Sequence, residues 1–403
     1  MKKINWKSFC EKHLTSQNIR MTILFIPLIV LFIAQCRNGQ ISLSTFLDTS
    51  VLISFLLVFL CDAIAAVISR TVGKKYEDMS KLSVNYEALV KKYSRERLVE
   101  YQGTKFPVIC LALRPATSDK FDIHIRYSEE KYRLPKQIAD NSDHIMKAHS
   151  FSSVYNNMNV RVNSIVTDKN KILIDYSMTT YFDSLITNRA MDYPLKNGKT
   201  IREIYEPGPF LSTLSESKLS NHLGFNGFIE TADKKFIFVL RSDSVSIGKN
   251  TLADSIGASL KVKYCFDDDR RLTLSGIENA IRREIQDELR INVTESDSLG
   301  EGIFAFYRDI VEGGKPQFLF YYKCNRFTSK QFEDMFRSDL KKNRIKGNDT
   351  IIDGKQFVYL SLAELKNCVI TPGRLTLPDG KTSYSMMPSA SASIVMLLQY
   401  LQP

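Results

Sequence analysis

The sequence has little with which to staple itself or chelate a metal. Its seven cysteines (Cys10, Cys36, Cys61, Cys110, Cys265, Cys324 and Cys368) lie far apart, with no C-x-x-C and no ligand-like pairing with the five histidines. This spacing argues against zinc and for a reduced compartment. A nucleophilic thiol stays open, although isolated cysteines usually serve as small buried hydrophobes. His124, His144 and His149 match no helical metal pair and read as ordinary polar residues. Signs of disorder are also missing, since 44% hydrophobic and 25% charged residues are ordinary for a globular chain. At 403 residues the chain exceeds one typical domain, so two or more folded units are expected.

Charge is absent from one stretch, Met21 to Cys36, and nearly so from a second, Val51 to Ser69, which carries only Asp62. A bilayer core about 30 Å thick needs roughly 17 to 25 helical residues. The sequence therefore predicts a two-helix transmembrane hairpin over 21–69, after a basic leader over 1–20. A cleaved signal peptide competes for the first run, but a second apolar run follows closely and "CRNGQ" is a poor cleavage site. Lysines and arginines flank both runs, whereas the connecting loop carries only Arg37. Both termini should then face the cytoplasm, in an inner or plasma membrane. Asp62 would face a helix neighbour or water, and Pro27 would kink the first span. The net charge of +11 suits nucleic acid, an anionic surface or anionic ligands. Its clustering beside the apolar runs favours the lipid bilayer as partner, with no nucleic acid.

Proline is also missing from the next stretch, "KKYEDMSKLSVNYEALVKKYSRERLVEY", which reads as a helical stalk over 70–103. Met79, Leu82, Tyr86, Leu89 and Tyr93 follow a 3-4-3-4 spacing, which serves either a coiled coil and homo-oligomer or a helix packed on its own domain. An α/β intermediate region follows over 104–220, with β-rich runs such as "FPVICLAL" and "KILIDYSMTTYF" and no catalytic cluster.

Chemistry concentrates in 221–403, around "IENAIRREIQDELRI", Ile277 to Ile291. Glu284, Asp287 and Glu288 span about 100° of helix circumference, so their carboxylates can converge on a hard cation. Ile277, Ile281, Ile285 and Leu289 form an adjoining apolar stripe. The alternative is a solvated face on which Arg282, Arg283 and Arg290 pair with the acids. Ahead of the helix, Phe225–Glu230 and Phe236–Arg241 read as two strands around the turn "TADKK".

The run Arg283, Glu284, Ile285, Gln286, Asp287, Glu288, Leu289, Arg290, Ile291 resembles the last part of the Nudix box, G-x5-E-x7-R-E-U-x-E-E-x-G-U with U aliphatic. Aspartate replaces one glutamate, and Arg290 stands at the closing glycine. Further forward, Asp269 and Ser275 stand where the pattern has glycine and glutamate. Gly257 in "SIGASLKV" looks like the displaced front glycine, with a lengthened loop after it. "FIETADKKFIFVLRSD", "GIFAFYRDIVEGGKPQFLFYYKC" and "VYLSLAEL" are similar to the strands that flank the box in that family.

The resemblance implies an α/β (α+β) fold, with a Nudix-like mixed sheet sandwiched by helices at the end of a cytosolic region behind the membrane hairpin and stalk. It implies Mg²⁺ or Mn²⁺ held by Glu284, Asp287 and Glu288. Glu288 or Glu284 would be the general base, and Arg283 would orient a carboxylate through its planar fork. Glu278 or the run Asp267, Asp268, Asp269 would supply a missing ligand. Arg241, Arg308 and Lys315 are candidate phosphate contacts, and Phe304, Phe306 and Tyr307 candidate base stackers or core. Two functions follow: a membrane-anchored hydrolase of a nucleoside-diphosphate-linked substrate, or a membrane effector whose degenerate domain binds a nucleotide-type small molecule and signals to the spans.

Overall fold

A computed structural model describes residues 85–130, 132–147, 156–242, 248–294, 299, 302–345 and 354–402. The chain divides between Asp78 and Met79, and every described residue belongs to the second unit, Met79–Pro403.

Fifteen strands are described: β1 (Leu98–Tyr101), β2 (Thr104–Leu113), β3 (Asp122–Tyr127), β4 (Met158–Asp168), β5 (Lys171–Thr180), β6 (Gly224–Glu230), β7 (Lys235–Arg241), β8 (Leu252–Ala253), β9 (Ile256–Ser259), β10 (Ile303–Asp309), β11 (Lys315–Lys323), β12 (Gly354–Ser361), β13 (Val369–Thr371), β14 (Arg374–Thr376) and β15 (Ser383–Ser385). Among the described residues, one nine-stranded sheet runs β1-β2-β10-β11-β6-β7-β12, with β8 on β7 and β9 on β6. Only the β11–β6 pair of this sheet is parallel. Smaller sheets run β3-β5-β4 and β13-β14-β15.

The centre of the large sheet explains its sequence. All seven residues of β10, "IFAFYRD", are buried, and β11 begins with six buried residues. Both strands are covered on two faces, which is why they read as nearly continuous apolar runs rather than alternating ones. On one face lie Phe225, Ile229, Phe306, Phe318 and Phe320, packed with the acidic helix Leu274–Leu289. On the other lie Phe228, Phe304, Tyr307 and Leu319, packed with the C-terminal helix Pro388–Tyr400. That helix is buried on almost every side, as its apolar composition requires. Pro388 opens it, where the missing N–H costs nothing.

The fold is thus mixed α/β, and three expectations need correction. Among the described residues no helix is long and apolar enough to cross a membrane. The expected hairpin at 21–69, with Asp62, lies outside the described residues. A fold class built on two transmembrane helices, and the two-span membrane localisation drawn from it, are withdrawn on that finding. The stalk also stops being helical before its expected end at 103. Its described helix covers Tyr86–Lys92, and β1 follows at Leu98. Leu89 and Tyr93 are buried against Ile109, Leu211 and Ile310 of the same unit, and the Tyr93 hydroxyl donates to the Glu206 carbonyl at 2.5 Å. These two positions serve intradomain packing.

The boundary near 220 does not divide the large sheet. β2, from the intermediate region, pairs antiparallel with β10 over Ala305–Asp309. β4 of the smaller sheet is also tied to the large one: Val160 N donates to Leu260 O at 3.0 Å, and Leu223 N to Val160 O at 2.8 Å. That seam fixes the backbone just before Lys261, which is itself bridged to Asn159.

Candidate functional site

The acidic helix starts at a Thr273 cap whose hydroxyl accepts from Gly276 N at 3.1 Å. It ends at Arg290, which is left-handed at φ 61°. A left-handed residue is a common helix stop that glycine favours, and here an arginine adopts it. The stripe Ile277, Ile281, Ile285 and Leu289 is buried as expected, and Glu284 shares the buried face.

A buried carboxylate needs a counter-charge, and a lysine supplies it. Lys261 Nζ lies 2.5 Å from Glu284 Oε1. Burial works against the Lys261 charge, but Glu284, Tyr264 and Glu288 outweigh it and hold the ammonium above its ordinary range. The ammonium therefore lies in the field of two of the three acids proposed as ligands. The third, Asp287, faces Arg283, whose Nε lies 3.2 Å from Asp287 Oδ2.

This arrangement does not fit a divalent cation. A metal at Glu284 would have to displace or crowd an ammonium already at ion-pair distance, and like charges at that range repel. Among the described residues no three His, Cys, Asp or Glu side chains gather closely enough to hold a metal ion. The other suggested ligands are engaged or solvated. Glu278 pairs with Arg282 at 3.3 Å, and Asp267 accepts from Arg271 N at 2.8 Å in an exposed turn with Asp268 and Asp269. Counting the pattern's own G-x5-E spacing from Gly257 reaches Lys263, not a carboxylate.

Lys261, Lys263 and Arg283 surround the Tyr264 ring at 5.5, 4.5 and 5.7 Å from its centroid. A basic collar therefore sits beside the acidic helix. Lys261 drew no notice in the sequence, because nothing in "SLKVKY" shows which carboxylate it will meet. Only β9 and β4 bring it to the helix.

The remaining candidates are placed differently. Arg308 is buried and donates to the carbonyls of Gly314 and Ser212, each at 2.9 Å, which is a clamp on a turn. Phe304 stacks on Tyr400 at 4.6 Å, Phe306 packs on Phe318, and Tyr307 accepts from Asn226 Nδ2 at 2.8 Å. All three belong to the core. His124 is exposed beside Asp122, His144 packs on Tyr193, and His149 lies outside the described residues.

Lys315 and Arg241 belong instead to a second polar cluster, beside the starts of β6 and β11. Lys315 Nζ lies 2.8 Å from Glu312 Oε2, and Arg189 Nε lies 3.7 Å from Glu312 Oε1. Burial works against the Glu312 charge, but Lys315, Arg189 and Arg241 outweigh it and hold the carboxyl below its ordinary range. Asp309 is shifted the other way, to about 6, by burial and then by Glu312. His222 is kept neutral by burial and by Lys315 and Arg189. Its Nε2 lies 3.0 Å from the Ser259 hydroxyl. Sequence reasoning missed Arg189, His222 and Glu312, which lie in separate segments and share no motif.

No family model matches the chain, and no curated protein matches it. Among solved structures, the crystal structure of DR0079 from Deinococcus radiodurans is similar at 17% identity over 36% of this chain and 69% of that one, with a TM-score of 0.23. A likeness at that score carries no argument about fold or activity. Neither the comparisons nor the geometry of the described residues support the expected Nudix hydrolase activity, its magnesium or a transmembrane segment.

Proposed function

We propose that this unit is a binding module for a nucleotide-type ligand, in which an internal cation closes the acidic helix. The observation that carries the reading is the Lys261–Glu284 pair at 2.5 Å. An ammonium brings charge but no open coordination positions, so it can neutralise the carboxylate without activating a water. Lys263 and Arg283 beside Tyr264 offer charge-assisted hydrogen bonds to a phosphate chain at the same place. The unit then recognises its ligand without cleaving it.

The test titrates the full chain with nucleoside diphosphates by calorimetry, beside a turnover assay in Mg²⁺. Saturable binding is expected, weakened about tenfold in Lys263→Gln and Arg283→Gln, with no product formed. Metal-dependent turnover that is lost in Glu288→Gln would overturn the reading. So would binding that ignores both substitutions.

A further inference from the structure

The cluster around Glu312 carries an inference of its own. Lys315 and Gln317 alternate along β11 with Pro316 and Phe318, and Gln317 shares Asn226 with Tyr307 at 3.3 and 2.8 Å. Tyr307 packs with the C-terminal helix, so this end of the cluster lies on the face opposite the acidic helix. Arg241 enters from β7, near Gly248 and Met387.

Lys315 and Arg189 thus meet Glu312 directly and Arg241 adds its charge from further off, with Asp309 as the other nearby carboxylate. Positive charge is in surplus in a place where Lys315 is only 5% exposed. The Nε atoms of Arg189 and Arg241 and Nδ1 of His222 are buried without a hydrogen-bond partner. The two unmet guanidinium donors beside an excess of positive charge call for an anion larger than one carboxylate.

Glu312 is carried on the β10–β11 turn, where Gly313 and Gly314 follow at φ 64° and 79°. Side chains are excluded from both positions. A Cβ on Gly313 would press on Leu219 and Met191, and one on Gly314 on Arg308 and Leu211. The turn is therefore shaped to set one carboxylate among the three cations, and that carboxylate belongs to the chain itself.

We propose that Glu312 is an internal stand-in for the phosphate group of a ligand, and that Lys315, Arg189 and Arg241 form a phosphate or diphosphate site that Glu312 occupies until the ligand displaces it. The ligand's oxygens would take over the ion pairs with Lys315 and Arg189 and meet the unpartnered Nε donors. Neutral His222 would contribute a hydrogen bond and no charge. This inference does not depend on the acidic helix or the Tyr264 collar, so either reading can fail alone.

The probe is inorganic pyrophosphate, titrated into the full chain by calorimetry. Every chain in this titration, the reference included, carries Lys263→Gln and Arg283→Gln, so that the collar beside Tyr264 adds no pyrophosphate binding of its own. The reference chain should bind pyrophosphate, and Glu312→Gln, which removes the competing carboxylate, should bind about tenfold more tightly. Arg241→Gln, a substitution at a partly exposed residue, should weaken binding by a similar factor. Lys315→Met leaves Glu312 buried without its nearest cation and is expected to fold poorly. Lys315→Met combined with Glu312→Gln removes both charges together and should fold but not bind. Pyrophosphate affinity that is equal in the reference, Glu312→Gln and Arg241→Gln would overturn the proposal, as would reference-level binding by the folded double variant.

Discussion

Lys261 and Glu284 illustrate how a single contact changes the meaning of a motif. Three acids at helical spacing can converge on a cation, and in this chain the cation at Glu284 is a side chain. Breaking such a pair costs more than the pair contributes, because it leaves a buried charge uncompensated. Lys261→Met should therefore destabilise the chain at neutral pH by about 2–4 kcal/mol, toward the low end because Lys261 is partly exposed. Adding Glu284→Gln should recover much of that loss. Urea unfolding of the single and double variants measures both effects; equal stability of Lys261→Met and wild type would remove the pair from any structural role. The same contact limits what sequence could reveal. Glu284, Asp287 and Glu288 were legible as a cluster because helix geometry alone relates them. Lys261, 23 residues earlier than Glu284, was not, since its position depends on how β9 meets β4.

At the scale of elements, the acidic helix is held by close approach as well as by its isoleucine stripe. Gly276, in its first turn, faces the Cys265 carbonyl so closely that a Cβ there would overlap the oxygen. Glycine to alanine inside a helix ordinarily gains about 1 kcal/mol. Here the backbone must shift instead, so Gly276→Ala should lose about 1–3 kcal/mol by overpacking. Chemical denaturation gives the sign directly, and a stabilised variant would show that the loop before the helix yields. Gly227 on β6 is constrained in the same way by the Phe320 ring. Strands β6 and β7 were visible as β-rich runs, with ends within a residue of those found. The helical stalk was misread at its far end. "RLVEY" continues the helix formers of "EALVKKY", yet Leu98–Tyr101 pairs with β2, so a tertiary partner overrode a weak local preference.

For the whole molecule, the consequential finding is that the large sheet crosses the expected boundary at 220. β1 and β2 complete the edge beyond β10, and the β4 seam anchors the backbone at Leu223 and Leu260. A fragment covering 221–403 would expose the β10 edge and lose Val99, Phe106 and Val108 from the core. It should fail to fold independently, giving little cooperative unfolding in circular dichroism. A sharp two-state transition for that fragment would show that β1 and β2 are an accessory.

What the sequence determined by itself was local. Periodicity of two or of 3.6 placed the strands and helices, and helix spacing grouped Glu284, Asp287 and Glu288, because those patterns depend only on neighbours along the chain. Tertiary structure decided everything that joins distant segments. It brought Lys261 to Glu284, gathered Arg189, Arg241 and Lys315 near Glu312, and merged two expected regions into one sheet. Charge pairing acts through a few ångströms of space whatever the separation in sequence, so the chemistry of both sites could be read only after the chain had folded.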